Sequence, residues 1–337
     1  EIKMKIGVLL VNLGTPSDLS VAGIRSFLKE FLADPRVIDL PFFIRYALLY
    51  AVILPFRSKK TFEAYKKIWM SNGSPLMIYS ENIAKKVSDS LGEDYKVVLA
   101  MRYGMPSVSD AIAQLNSCDR IIVQPLFPQY ASATTGSIVE KIYNIIKSKN
   151  YITPINILPE FYEDSGFIAA YTDVVSKALV GKKIDKVIFS FHGLPVRHIL
   201  NAGCKSQCND SPCPLITSDN KTCYRAQCYA TARQIAKNLG LTEEYYKVSF
   251  QSRLGKTPWI QPYTDNIIND LSVDDRVHDI AVVCPSFVAD CLETLEEIGI
   301  QAKSQWQGLG GRGFILIPCI NDNDIWIKSL LDKIKSS

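Results

Sequence analysis

His192 lies in the run Ser190-Phe191-His192-Gly193-Leu194-Pro195, directly after the apolar residues Val187-Ile188-Phe189. A neutral imidazole can ligate a metal or accept a proton near neutral pH. In open α/β sheets, ligands bind at the carboxyl ends of strands. Gly193 and Pro195 would turn the chain sharply there, so His192 is expected to project into a crevice; the bland alternative is a hydrogen-bonded loop histidine. A second group, Asp290, Glu293 and Glu297, follows the apolar run Ile280–Cys284 and the turn Pro285-Ser286. The spacing i, i+3, i+7 predicts one acidic stripe on an α-helix, with Leu292 and Leu295 facing the core. Such a graded row of carboxylates suits the movement of protons or a hard cation. The alternative is a solvated face whose acids complement the helix dipole.

Cysteines form the third group. Of nine, five fall in Cys204-x3-Cys208-x4-Cys213-x9-Cys223-x4-Cys228, among Asn, Asp, Ser, Pro and Lys. A loop so poor in apolar residues has little core of its own, and thiolates around a metal centre would order it. Four of the five could hold a [2Fe–2S] cluster or a structural zinc, and free thiols are the third possibility. Close pairs spaced x3 and x4 do not match a zinc ribbon, whose pairs are x2. Cys118, Cys284, Cys291 and Cys319 sit in or beside apolar runs and read as small core residues. An odd count precludes complete internal pairing, and the pattern favours a reducing, cytoplasmic compartment. No signal peptide is expected.

A fourth segment, about 41–60, is aromatic and apolar from Phe42 to Phe56, punctuated by Pro41 and Pro55 and followed by Arg57, Lys59 and Lys60. Its uninterrupted apolar part, Tyr46 to Pro55, is far short of the roughly 18 residues a spanning helix needs. It reads either as a buried helix hairpin or as an exposed apolar lip that touches a membrane surface or a greasy ligand.

These groups need a scaffold. At about 100–200 residues per domain, 337 residues suggest two domains. Eight short apolar runs read as strands buried on both faces: Lys5–Asn12, Lys96–Met101, Arg120–Pro125, Pro154–Leu158, Lys186–Phe191, Tyr246–Gln251, Asp279–Pro285 and Gly313–Pro318. Segments of helical spacing alternate with them, including Val21–Leu32, Thr61–Met70, Glu81–Leu91, Tyr224–Leu239, Ala289–Ile298 and Asp324–Ile334. Ser80 and Ser107 look like helix starts. The alternation predicts an α/β chain with parallel sheets. The long segments Asp39–Lys60 and Asn201–Cys228 interrupt the rhythm a barrel prefers, which favours two Rossmann-like halves, each a four-stranded parallel sheet flanked by helices. Residues 1–155 would form the first half, joined by a C-terminal helix about 322–337, and residues 156–321 the second. Gly308–Gly313 precedes a strand, so it is no dinucleotide fingerprint. A net charge of +4 gives no sign of a nucleic-acid partner.

Taken together, the motifs resemble the ferrochelatase family, which inserts Fe²⁺ into a porphyrin. The resemblance runs through Gly7–Pro16, Phe31–Ile38, Gly73–Leu76, Met101–Gly104, Pro125–Tyr130, Thr134–Ser137 and Phe250–Arg253, with Trp259, Pro262, Thr264 and Asp265. The His-Gly-Leu-Pro and Asp-x-x-Glu-Thr-Leu motifs stand in the same order. It implies two Rossmann-like halves with a cleft between them. It implies His192 as metal ligand or acceptor of pyrrole protons, Glu293 as its acidic partner, and Asp290 and Glu297 as the continuing row. Leu13, Arg102, Tyr103 and Trp259 would bind the porphyrin, and the lip would admit it and touch the membrane. The implied substrates are protoporphyrin IX and ferrous iron. The resemblance further implies a cluster held by Cys204, Cys208, Cys213 and Cys223, with Cys228 as the substitute.

Two departures matter. Cys291 stands where some relatives carry a second histidine. Ser132 stands where animal relatives carry a cluster cysteine, and the sequence ends at Ser337 without their cysteine-rich tail, so only an internal cluster is expected. Iron cannot enter a free-base porphyrin until the ring puckers and its two pyrrole protons leave, so holding the macrocycle bent uses binding energy to approach the transition state. Rival readings are a chelatase for coproporphyrin or for another divalent metal, and a non-catalytic iron–sulfur or haem sensor on the same fold.

Overall fold

The computed structural model describes residues 4–204, 212–255 and 257–337. Two units divide the chain. One comprises Glu1–Phe127, Ala131–Glu160 and Ile327–Ser337; the other comprises Pro128–Tyr130 and Phe161–Trp326.

In the first unit, β1 (Ile6–Gly14), β2 (Tyr95–Tyr103), β3 (Arg120–Pro125) and β4 (Ile155–Ile157) form a parallel sheet in the order β2-β1-β3-β4. Leu9 of β1 lies opposite Val98 and Val123, so the central strand is apolar toward both helical layers. Leu9 and Val11 pack with Ile112, Leu115, Ile121, Ile138 and Ile142. The second unit repeats the plan with β5 (Lys186–His192), β6 (Tyr246–Gln251), β7 (Asp279–Val283) and β8 (Gly313–Leu316), in the order β6-β5-β7-β8. Its core gathers Ile188, Ile268, Ile280, Val282, Ile298 and Trp306. The eight strands and the two-sheet architecture are those the sequence predicts.

Local departures have local causes. The helix expected to start at Ser80 starts five residues earlier, at Pro75: Ser74 caps it by accepting from the Met77 amide, and Pro75 occupies the first turn, where no N–H is needed. Ser80 is instead buried mid-helix and accepts from the Asn12 side chain at 3.0 Å. Ser107 does cap its helix, accepting from the Asp110 amide. Pro55 does not break the chain path. Helix Phe42–Leu48 passes through the π-turn Leu49–Ile53 into helix Leu54–Lys66, with Pro55 in the first turn of the last. A wide turn immediately before a proline accommodates its ring and missing donor. Leu49, Ile53 and Leu54 face inward, while Phe42, Phe43, Ile44, Val52 and Phe56 are exposed, Phe43 by 84%. This segment is therefore one run of helix with an exposed apolar face. Among the described residues, no helix is long and apolar enough to cross a membrane.

The last helix, Asp324–Lys335, begins in the second unit and ends in the first. Leu330 and Ile334 are fully buried, and Arg120 donates to the Ser337 carbonyl at 2.8 Å. Gly14 closes β1 at φ +124°, where a Cβ would stand 1.9 Å from the Tyr103 carbonyl oxygen of β2. We expect Gly14→Ala to cost at least about 3 kcal/mol, from the left-handed backbone and the forced separation of the strands. Chemical denaturation of parent and variant checks this; a loss below about 1 kcal/mol would contradict the strain.

Candidate active site

β5 ends on His192, which pairs in register with Gln251 at the end of β6. The Gly193 amide then donates to the Gln251 carbonyl at 2.8 Å. A Cβ on Gly193 would stand 2.7 Å from that carbonyl oxygen and 3.2 Å from the Trp259 ring, so only glycine lets the chain turn here. The imidazole Nδ1 lies 2.6 Å from the Gly193 carbonyl oxygen. A carbonyl can only accept, so Nδ1 carries the hydrogen and Nε2 keeps its lone pair for a proton or a metal. The ring stands edge-on to Phe287, with centroids 6.2 Å apart.

The acidic segment differs from the expected α-helical stripe. Asp290 and Cys291 precede the helix, and Glu293–Ala302 is wound as a π-helix. Its inward face is Thr294, Glu296, Ile298 and Ala302; Leu292 and Leu295 are only half-buried. Asp290 accordingly does not continue the row. Its buried carboxylate accepts from Thr294 Oγ1 at 2.9 Å, Asn321 Nδ2 at 2.9 Å and the Cys319 amide at 3.3 Å. Those bonds anchor the start of the π-helix to the loop after β8. The row narrows to Glu293 and Glu297, one wide turn apart.

Glu297 is held from the β6 end. It accepts from the Ser252 amide at 2.7 Å, Ser252 Oγ at 2.5 Å and Gln251 Nε2 at 3.3 Å. Ser252 adopts φ +66°, which aims both its donors at this carboxylate. Gln251 Nε2 also donates to the Glu293 carbonyl at 2.8 Å, and its Oε1 accepts from Ser190 Oγ at 2.8 Å. One carboxamide therefore ties β5, β6 and the π-helix together. Burial raises the Glu297 pKa above the ordinary glutamate value; the Ser252 hydroxyl and the His192 charge pull it back, and the Glu293 charge pushes it further up. Through that mutual influence His192, Glu293 and Glu297 form one electrostatic set. A cavity of about 370 Å³ opens beside Glu297, with Ser252, Arg253, Asp265 and Gln301 on its walls.

The other expected residues fall as follows. Trp259 is half-buried; its Nε1 donates to the Leu254 carbonyl at 2.9 Å, and its backbone bridges Pro195. In the first unit, Leu13 is half-buried near the end of β1. Arg102 and Tyr103 converge on the buried Asp34: Arg102 Nη2 lies 2.8 Å and Tyr103 Oη 2.7 Å from Asp34 Oδ2, and Ser137 Oγ donates to the same oxygen at 2.6 Å. Burial would raise the Asp34 pKa, but Ser137, the Arg36 amide, Tyr103 and Arg102 together hold it below the usual carboxylate value. Tyr103 is 0% exposed, so in this structure it orients Asp34 and Arg102 and presents no surface of its own.

Cys204, Cys213, Cys223 and Cys228 are buried and in no disulfide; Cys208 lies outside the described residues. Burial pushes the Cys223 pKa up to about 12, against a lowering by the Ala226 amide and with Cys204 and Cys213 raising it further. Cys213 is raised by burial, opposed first by Arg225. Among the described residues, no group of three or more His, Cys, Asp or Glu is arranged to hold a metal ion.

Sequence reasoning assigned no role to Gln251, Ser252, Tyr224 or Ser286. The stretch Phe250–Arg253 carried the family resemblance, but only the register of β6 against β5 reveals what it holds.

A histidine at the end of β5 and a partly buried carboxylate pair on the β7–β8 crossover thus stand together in a chain of two parallel-sheet α/β halves. The fold is shared with a solved structure of SirB from Bacillus subtilis with Fe³⁺, which superposes with a TM-score of 0.56 at 11% identity, covering 99% of this chain and 95% of that one. Residues 5–337 match the ferrochelatase family model. The chain is 49% identical over 327 residues to a ferrochelatase of Legionella pneumophila (strain Paris), covering 97% of this chain and 98% of that protein. A ferrochelatase of Coxiella burnetii is 46% identical over 337 residues, covering 99% and 94%. The chain belongs to the ferrochelatase family and is an enzyme that inserts a metal, ferrous iron, into a porphyrin.

Glu297 binds its proton more tightly in the folded chain than in the unfolded one, so ionising it costs stability as pH rises through its folded pKa. Glu297→Gln removes that cost. Its melting temperature should exceed the parent's near pH 8, with the gap closing at about pH 4, where glutamate is protonated in both states. Calorimetry at the two pH values decides; a gap that widens toward acid would reverse the assignment.

Proposed function

We propose that this enzyme inserts Fe²⁺ into protoporphyrin IX and releases two protons, forming protohaem. The observation that carries the reading is the tautomer imposed on His192: with Nδ1–H donating to the Gly193 carbonyl, Nε2 is left as a base in the electrostatic field of Glu293 and Glu297. Nε2 accepts a pyrrole proton. Glu293 and Glu297 deliver the iron or carry protons away through the polar cavity beside Glu297. A raised carboxyl pKa brings Glu297 closer to the pH at which it can both take and release a proton. Leu13, Arg102 and Trp259 contact the porphyrin, and Tyr103 acts by orienting Arg102 through Asp34. The exposed aromatic face of Phe42, Phe43 and Phe56 rests on a membrane surface, where the apolar substrate is delivered and collected.

The cysteine segment holds a [2Fe–2S] cluster in this reading, with Cys204, Cys208, Cys213 and Cys223 as ligands and Cys228 as the substitute. What supports it is the spacing of the five cysteines and the burial of Cys204, Cys213 and Cys223. Such a cluster would cross-link its loop and could answer to redox state.

His192→Ala and Glu293→Gln should each lower iron insertion at least about 100-fold while leaving the melting temperature within a few degrees of the parent. Continuous fluorescence loss of protoporphyrin under anaerobic conditions is the assay. Near-normal turnover by His192→Ala would remove the base from this scheme. For the cluster, anaerobically purified protein should carry about two irons and two acid-labile sulfides per chain, and Cys204→Ser with Cys223→Ser should lose both. One zinc and no sulfide would instead make the loop a structural zinc site.

A further inference from the structure

The main chain of His192 is held by two side-chain hydroxyls that the reaction chemistry does not require. Its N–H donates to Ser286 Oγ at 2.9 Å. Its carbonyl accepts from Tyr224 Oη at 2.8 Å. One hydroxyl accepts and the other donates, so the two clamp the amide and the carbonyl of the same residue.

Tyr224 is buried at the start of helix Tyr224–Asn238, whose N-cap is Cys223. Cys228, four residues on, lies on the same face of this helix. Arg225, the next residue, donates twice to the Gln261 carbonyl, at 3.1 and 3.0 Å, two residues after Trp259. The first turn of this helix therefore touches the thiols on one side and the His192 and Trp259 segments on the other.

We propose that Tyr224, acting with Ser286, is a positioning residue that fixes the placement of the His192 imidazole and ties it to the arrangement of Cys223 and Cys228. Without the phenol hydroxyl, the His192 carbonyl loses its side-chain donor, and the peptide joining His192 to Gly193 is held only by the Gly193 amide's bond to Gln251. Its tilt sets where Gly193, and with it the carbonyl of the following peptide that accepts from Nδ1–H, stands against the ring. A shift there therefore changes both where Nε2 points and how often it is the unprotonated nitrogen. Porphyrin affinity should change little, because the hydroxyls act on the main chain of His192.

The inference rests on His192 being the base, and the test separates the two. Tyr224→Phe keeps the ring and removes the hydroxyl. We expect kcat for iron insertion to fall about 10-fold with the porphyrin KM within about twofold. The chain has three histidines, so ¹⁵N-histidine labelling gives three imidazoles, and His192→Ala identifies the one of interest. In Tyr224→Phe its Nδ1 and Nε2 shifts should move toward a mixture of tautomers, while those of His198 and His278 stay in place. Ser286→Ala, which removes the other hydroxyl of the clamp at a half-buried residue, should reproduce both effects and serves if Tyr224→Phe does not fold. Unchanged His192 shifts overturn the proposal, whether or not activity falls. Shifted His192 resonances with normal turnover would instead show that the clamp works and that His192 is not the base.

Discussion

The carboxamide of Gln251 is the constraint on which the second unit's site depends. It stands at the end of β6, opposite His192, accepts from Ser190 on β5 and donates to the π-helix at Glu293 and Glu297. Three elements that arrive from different parts of the chain are thereby fixed at one point. Being 4% exposed, the amide has no water to fall back on, so any displacement leaves buried polar atoms without partners. The carboxylates and the histidine are consequently held in fixed places, the preorganisation that the proposed proton transfer would need.

A second network of the same kind occupies the first unit. Asp34 gathers Arg102, Tyr103 and Ser137 around one carboxylate oxygen, and Arg36 follows it at the next turn with its amide bonded to the other. A buried carboxylate with a charged partner and two hydroxyl donors is well satisfied, and removing any one member leaves the rest unbalanced. Both units thus place a buried polar hub at the carboxyl end of their sheets, where the strands stop and side chains become available to a ligand.

The strands were legible because each is a short, nearly unbroken apolar run, and burial on both faces leaves no other way to read Ile280–Val283 or Val8–Val11. The place of His192 was legible because an unbroken apolar run leads straight into it and fixes the strand end. The acidic stripe was misread for a physical reason: a period of 3.6 was assumed, and nothing in Glu293–Ala302 announces the wider π-winding, which is set by tertiary contacts such as those of Asp290 with Asn321. Gln251, Ser252 and Tyr224 were invisible as functional residues for a related reason. Glutamine, serine and tyrosine have many uses, and theirs here follows from strand register and a helix start, which only the folded chain supplies.

The final helix has a consequence for the order in which the molecule can be completed. Its last residues, with Leu330 and Ile334 fully buried, belong to the unit that contains β1, while Phe161–Trp326 is a nearly continuous stretch. During synthesis the first sheet emerges first but must wait, with part of its apolar cover missing, until Ile327–Ser337 have followed it out of the ribosome. The second unit has its sequence in hand earlier and can close while the first is still open. The half of the enzyme made first is therefore the half finished last, and through that interval its unsealed core is exposed to proteases and chaperones alike.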